Sequence, residues 1–228
     1  MSHKPALPAT DDERKQLLAD IVTELYRANL VTAMGGNVSV RCASRDDALW
    51  ITPSQIFKGN LRPEQMIMVD FTGKRIDVAS NPPGYPSVES AYHGGILRMR
   101  PEVNAVVHTH APLATAFAMC DMQMPPITSE AILLVDLPTI PWAIGGSHEL
   151  AEYVLEYVGK RQVSGAYLRN HGLVTVGSTL REAADVTYAV EHTIKIILAC
   201  KTFGREPSLI LPEGIKQVIE QAGEFAAR

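Results

Sequence analysis

The chain has 228 residues, 46% of them hydrophobic and 20% charged, which supplies enough apolar material for a sizeable core and excludes disorder for the bulk of the chain. Its 25 acidic and 21 basic residues leave a net charge of -4 with no clustered Lys/Arg stripe, so nucleic acid is excluded as the expected partner. Three scattered cysteines, Cys42, Cys120 and Cys200, show no CxxC spacing, the first twelve residues lack an apolar signal core, and runs such as Ala131 to Val135 fall far short of a membrane span; a soluble, cytoplasmic protein with no membrane partner is expected.

Thr10 and Glu13 form a capping box, and Leu17, Leu18, Ile21, Val22 and Leu25 then recur at helical spacing, predicting a helix of about five turns. After Gly35 and Gly36, the segments Asn37 to Arg41, Leu49 to Thr52, Met66 to Phe71 and Arg75 to Val78 read as short strands, the last two antiparallel through Thr72-Gly73. Pro82, Pro83, Gly84 and Pro86 make a stiff loop, and Ser87 is placed to cap a helix from Val88 to about Met99. Ala105 to Val107 opens a strand that runs into His108-Thr109-His110, and Pro112 suits the first turn of a following helix. A strand at Thr139 to Ile144, a helix from Ser147 to Val158 and a strand pair at Ala166 to Leu168 and Leu173 to Val176 follow, with Asn170-His171-Gly172 in the turn of the pair. Thr179 and Glu182 make a second capping box, opening a long helix through Val186, Val190, Ile194 and Ile197. Strands and helices without strict alternation predict an α+β layered domain, read as one unit over 1–228 with flexible residues at 1–9 and a C-terminal segment at 205–228.

His108 and His110 project from one face of an extended chain, about 6.6 Å apart along the strand, so their imidazoles can converge on one ion. Two histidines hydrogen-bonded at a strand end are the plain alternative. His171, in its tight turn, can complete the three protein ligands of an open catalytic metal site, or it can be a turn histidine that only bonds its neighbours. Glu89, behind the proline-rich loop, is placed to be a fourth ligand or a proton carrier; a first-turn acid serving the helix dipole is the alternative. Gly35-Gly36-Asn37 and Thr52-Pro53-Ser54 are turns that can hold an anion through N–H groups, an amide and hydroxyls.

Gly36-Asn37-Val38-Ser39-Val40-Arg41, Ile51-Thr52-Pro53-Ser54, Ser87-Val88-Glu89, His108-Thr109-His110-Ala111 and Asn170-His171-Gly172, in this order, resemble the class II aldolase/adducin family. The resemblance runs from the first helix to the long helix at Thr179. It implies a three-layer α/β/α domain around a mainly antiparallel central sheet, and a homotetramer with sites between neighbouring subunits. It further implies Zn²⁺ (or Mn²⁺ or Co²⁺) on His108, His110 and His171, with Glu89 as catalytic acid/base and resting-state ligand. The substrate phosphate of such enzymes falls on residues matching Gly36, Asn37, Ser54, Gln55, Ser87 and Val88. Two positions depart from the family pattern: Gln55 replaces a glycine and Val88 a serine.

The expected function is therefore a divalent-metal-dependent lyase of carbohydrate metabolism. It would cleave a C–C bond by retro-aldol chemistry through a metal-stabilised enediolate, on a small-molecule substrate such as a sugar phosphate or related hydroxy-carbonyl compound. A decarboxylase of a β-keto or hydroxylated aromatic acid passes through a similar anion and is the nearest alternative. A non-catalytic, adducin-like binding protein is a third, but it has no need to keep the three histidines and Glu89 together, and an all-histidine set beside an acid suits an open catalytic site better than a closed structural one.

Overall fold

The computed structural model describes residues 7–76 and 84–226. Helix α1 (Asp11–Arg27) starts where its capping box predicts: the Glu13 N–H donates to Thr10 Oγ1 at 3.3 Å and the Thr10 N–H to Glu13 Oε2 at 3.0 Å. This satisfies N–H groups that every helix start leaves free. Leu7, upstream of the cap, packs on the core, and the Pro8 carbonyl accepts from Arg14 Nε at 2.7 Å.

Strands β1 (Asn37–Arg41), β2 (Ala48–Ile51), β3 (Ile67–Asp70), β4 (Ala105–Thr109), β5 (Thr139–Ile140), β6 (Gly165–Leu168) and β7 (Gly172–Gly177) form one sheet in the order β3-β2-β1-β4-β7-β6-β5. Every pairing is antiparallel except β5 with β6, so the sheet is mixed but mostly antiparallel. Both faces are apolar. On β4, Ala105 and Val107 join the core under α1, α3 (Pro112–Met119) and α6 (Leu180–Thr202), while Val106 joins the core under α2 (Ser90–Met99) and α5 (His148–Val154). The two-residue period of the strand thus builds the three α/β/α layers. Leu18, Ile21, Leu25, Ile67, Ile96 and Leu49 are all fully buried, each worth about 1.5–3 kcal/mol of transfer free energy.

Several elements differ from the sequence reading. Helix α2 begins at Ser90, not Val88, because Ser87 caps a turn: its Oγ accepts from the Glu89 N–H at 3.3 Å and its carbonyl from the Ser90 N–H at 3.1 Å. Glu89 is therefore the residue before the helix, with φ -98° and ψ 6°, and lies outside the first turn. The strand expected at Thr139 to Ile144 stops at Ile140, since Pro141 has no N–H to extend the ladder. Helix α5 ends at Val154 and the chain continues as a π turn at Leu155–Gly159. The second capping box is half formed: Thr179 Oγ1 accepts from the Glu182 N–H, but the Glu182 carboxylate turns to the N–H and hydroxyl of Ser178. Arg75 pairs with Val69 in a single bridge and the Ile76 N–H donates to the Met68 carbonyl at 3.0 Å, while residues 77–78 of the expected strand, with Pro82 and Pro83, lie outside the described residues. Two helices that the sequence reading lacks, α4 (Ser129–Ile132) and α7 (Pro212–Ala226), pack on each other. Among the described residues no helix is long and apolar enough to cross a membrane.

Candidate metal centre and active site

The central strand carries the site. Alternation along β4 puts His108 on the same face as Val106, toward α2, and the antiparallel register sets Asn37 of β1 opposite it and Val174 of β7 on its other side. His110 follows in the connection to α3. His171 comes from the β6–β7 turn, where Asn170 takes φ 56°, a left-handed conformation that Asn accepts more readily than most residues. The three rings pack with centroids 4.7, 5.0 and 5.1 Å apart, and their ligand nitrogens all lie within 4.8 Å of one another. Backbone approaches the rings closely: a Cβ on Gly35 would sit 2.5 Å from His110 Nδ1, and Gly145 lies against His171 and Glu89.

Glu89 faces this cluster from the start of α2. Its Oε2 is 3.3 Å from His108 Nε2 and its Oε1 is 3.7 Å from His171 Nε2. The His108 Nδ1–H donates to the Leu173 carbonyl at 3.1 Å, which fixes the tautomer and leaves the Nε2 lone pair facing the carboxylate. Burial raises the Glu89 pKa, but His108, the Asn37 amide, His171 and His93 together outweigh it and bring the carboxyl down to about 2. Burial is the leading cause at His108 as well, and lowers its pKa to about 4 despite Glu89. Burial likewise lowers His110. At neutral pH the site therefore presents an ionised carboxylate and a neutral imidazole, 3.3 Å apart, with two acceptors and no proton between them. Among the described residues, Glu89 Oε1, His108 Nε2 and His171 Nδ1 are buried without hydrogen-bond partners. Each such orphan costs about 1–3 kcal/mol. The donor set, all nitrogen and oxygen lone pairs with one negative charge, fits a divalent cation.

A hydrogen-bonded chain that the sequence reading missed orients Glu89. The Asn37 Nδ2–H donates to Glu89 Oε2 at 2.7 Å, so Asn37 Oδ1 is free to accept from His93 Nε2–H, at 2.6 Å, and His93 Nδ1 accepts from the Ser39 hydroxyl at 2.7 Å. His93 is fully buried, and burial lowers its pKa to about 3, consistent with the neutral tautomer this chain requires. The signal was present in the sequence: His93 is four residues after Glu89, one helical turn, and Ser39 two after Asn37, on one strand face.

Gly36, Asn37, Ser54 and Ser87, expected to hold substrate, line one cavity of about 210 Å³ together with Glu89, His110 and His171. Their freedom differs. The Asn37 amide is engaged at both ends, and the Ser54 N–H donates to the Tyr85 carbonyl at 2.8 Å. Gln55 adopts φ 52°, a left-handed conformation that glycine takes more readily than a residue with a side chain.

Residues 16–198 match the family model described as Class II Aldolase and Adducin N-terminal domain. The chain belongs to the class II aldolase and adducin family. It is 37% identical over 173 residues to the L-fuculose phosphate aldolase of Methanococcus vannielii, covering 75% of this chain and 88% of that protein. It is 30% identical over 195 residues to the 3-oxo-tetronate 4-phosphate decarboxylase of Haemophilus influenzae, covering 82% and 88%. A solved L-fuculose 1-phosphate aldolase is similar with a TM-score of 0.79 at 26% identity, covering 92% of this chain and 95% of that one. This family member is an enzyme of the class II aldolase type, a divalent-metal-dependent lyase.

Proposed function

We propose that this aldolase-family enzyme cleaves the C–C bond of a phosphorylated hydroxyketone, with His108, His110 and His171 holding Zn²⁺, Mn²⁺ or Co²⁺ and Glu89 moving the proton. The observation that carries the reading is the buried, half-orphaned carboxylate of Glu89 set against a converging histidine triad. When bound, a divalent ion supplies Lewis acidity that stabilises charge developing on the carbonyl oxygen of the substrate. Glu89, ionised and aimed by Asn37, is placed to take a proton from the carbon beside that carbonyl in the condensation direction and to return it in cleavage. In cleavage the hydroxyl of the leaving half loses its proton, which reaches the ionised Glu89 through water, so that half departs as an aldehyde; the electrons of the breaking C–C bond become those of the enediolate, whose carbon then takes the proton from Glu89. Gly36, Ser54 and Ser87 shape the cavity for the far end of the substrate.

The homotetramer is part of the same proposal. Val88, which lines the cavity, is 68% exposed, and Trp142 and Ile144, shortly before the lining residue Gly145, are 59% and 66% exposed; such apolar side chains suit a neighbouring subunit. The cytoplasmic location rests on the composition and scattered cysteines alone.

Metal analysis with an activity screen tests the reading: purified protein should hold about one divalent ion per chain and release an aldehyde from phosphorylated ketoses. A metal-free protein with full turnover would refute it. A second reading, decarboxylation on the same site, is favoured by the similarity to the Haemophilus decarboxylase, and CO₂ release in the same screen separates the two.

A further inference from the structure

Lys58 is 1% exposed, in the wall of the cavity that Gly36, Ser54 and Ser87 line, and neither the metal triad nor the Glu89 chain uses it. Its backbone is pinned by an N–H bond to the Ala33 carbonyl at 2.9 Å. Its ammonium has three N–H donors and one acceptor among the described residues, the Pro53 carbonyl at 2.7 Å. No described carboxylate pairs with it. Burial, with no opposing charge, lowers its pKa to about 8.

A buried cation without a partner is costly, and proteins keep one where a partner arrives from outside. The other donors at this end of the cavity are few. Val88 carries no hydroxyl, Gln55 has a side chain where the family has a glycine, and the Ser54 N–H is already bonded to Tyr85. The Ser54 hydroxyl and that of Ser87, which accepts from the Glu89 N–H, keep their own O–H to give. We infer that Lys58 is a specificity-determining residue, whose ammonium pairs with the phosphate monoester of the substrate alongside the Ser54 and Ser87 hydroxyls and so restricts the enzyme to anionic substrates. This rests on the proposed reaction for its substrate class, but binding of the anion needs no turnover.

Isothermal titration of inorganic phosphate into metal-loaded wild type, Lys58→Met and Lys58→Arg tests it. The Met variant should bind phosphate at least ten-fold more weakly, and the Arg variant within about three-fold of wild type, since it keeps the charge. Lys58→Gln, which keeps a donor for the Pro53 carbonyl, gives the same comparison should Met fail to fold. A second readout is deuterium exchange at the C–H beside the carbonyl. The KM for dihydroxyacetone phosphate should rise at least ten-fold in the Met variant with kcat little changed, and that for dihydroxyacetone should not move. Equal phosphate affinity in wild type and Met, or no measurable phosphate binding by wild type, overturns the assignment. Phosphate binding that depends on Lys58 in a protein that cleaves no ketose phosphate would leave Lys58 as the anion contact and refute the proposed reaction instead.

Discussion

Glu89 and Lys58 are opposite charges buried in one cavity, and their surroundings explain why one is well held and the other is strained. The carboxylate has an amide donor and three imidazoles around it, whereas the ammonium has a single carbonyl. Replacing Lys58 by Met, of similar length and no charge, is therefore expected to stabilise the fold by on the order of 2 kcal/mol at neutral pH, even as it weakens anion binding. That corresponds to a Tm about 4–8 °C higher for a chain of this size. The sign of the pH dependence follows from the direction of the shift. The folded-state pKa of about 8 lies below the ordinary 10.5, so the unfolded chain binds more protons between these values and wild type gains stability as pH rises through them. The advantage of the Met variant should be full below about pH 8 and vanish near 10.5, which melting curves across that range check. His171→Ala is expected to lose the ion by elemental analysis and to retain a Tm within a few degrees of metal-free wild type. The apolar layers on either side of the sheet do not include the triad.

Helix α2 is the element that sets the geometry of the proposed site, because Glu89 directly precedes it and His93 lies in its first turn. Its distance from the sheet depends on Gly94, where a Cβ would meet the Phe71 carbonyl oxygen at 2.5 Å and the Phe71 Cα at 2.7 Å. Gly94→Ala should push the helix outward, cost about 1–3 kcal/mol in denaturant unfolding, and weaken metal binding by moving Glu89; unchanged stability would show that the contact relaxes freely. Much of this element was legible. The proline-rich loop and the Ser87 cap predicted the helix, and the order of histidine and glutamate motifs picked out residues that the fold brings together. The start was misread by two residues because Ser87 has the chemistry of a helix cap but is used to cap a turn. His93 was passed over because a lone histidine on an apolar helix face reads as core until the Asn37 amide is seen beside it. Lys58 was invisible for a related reason: nothing local marks a lysine in a single 3-10 turn as buried, since its burial comes from the fold that brings the Ala33 carbonyl to its N–H and the Pro53 carbonyl to its ammonium.

At the scale of the whole molecule, strands and helices without strict alternation predicted a layered α+β domain, and the three layers with a mainly antiparallel sheet were legible through the family resemblance. The parallel β5–β6 pair was not, because a two-residue strand cut short by Pro141 carries too little pattern. Exposed Val88 lines the cavity, and exposed Ile144 precedes Gly145 of its lining, two residues after exposed Trp142, so subunit contact and activity should be linked. Sedimentation velocity is expected to give a tetramer, and Trp142→Asp to give smaller species with at least ten-fold lower turnover. A fully active monomer would remove both the tetramer and the shared-site proposal. The central claim, that Glu89 moves the proton at a histidine-held divalent ion, is tested most directly by deuterium exchange into dihydroxyacetone phosphate, the ketone half left when a 2-ketose 1-phosphate is cleaved. Wild type and Glu89→Gln should be compared at matched metal occupancy. Exchange in the Gln variant should fall by roughly 10²–10⁴ while the ion stays bound; exchange at the wild-type rate with the ion in place would contradict it.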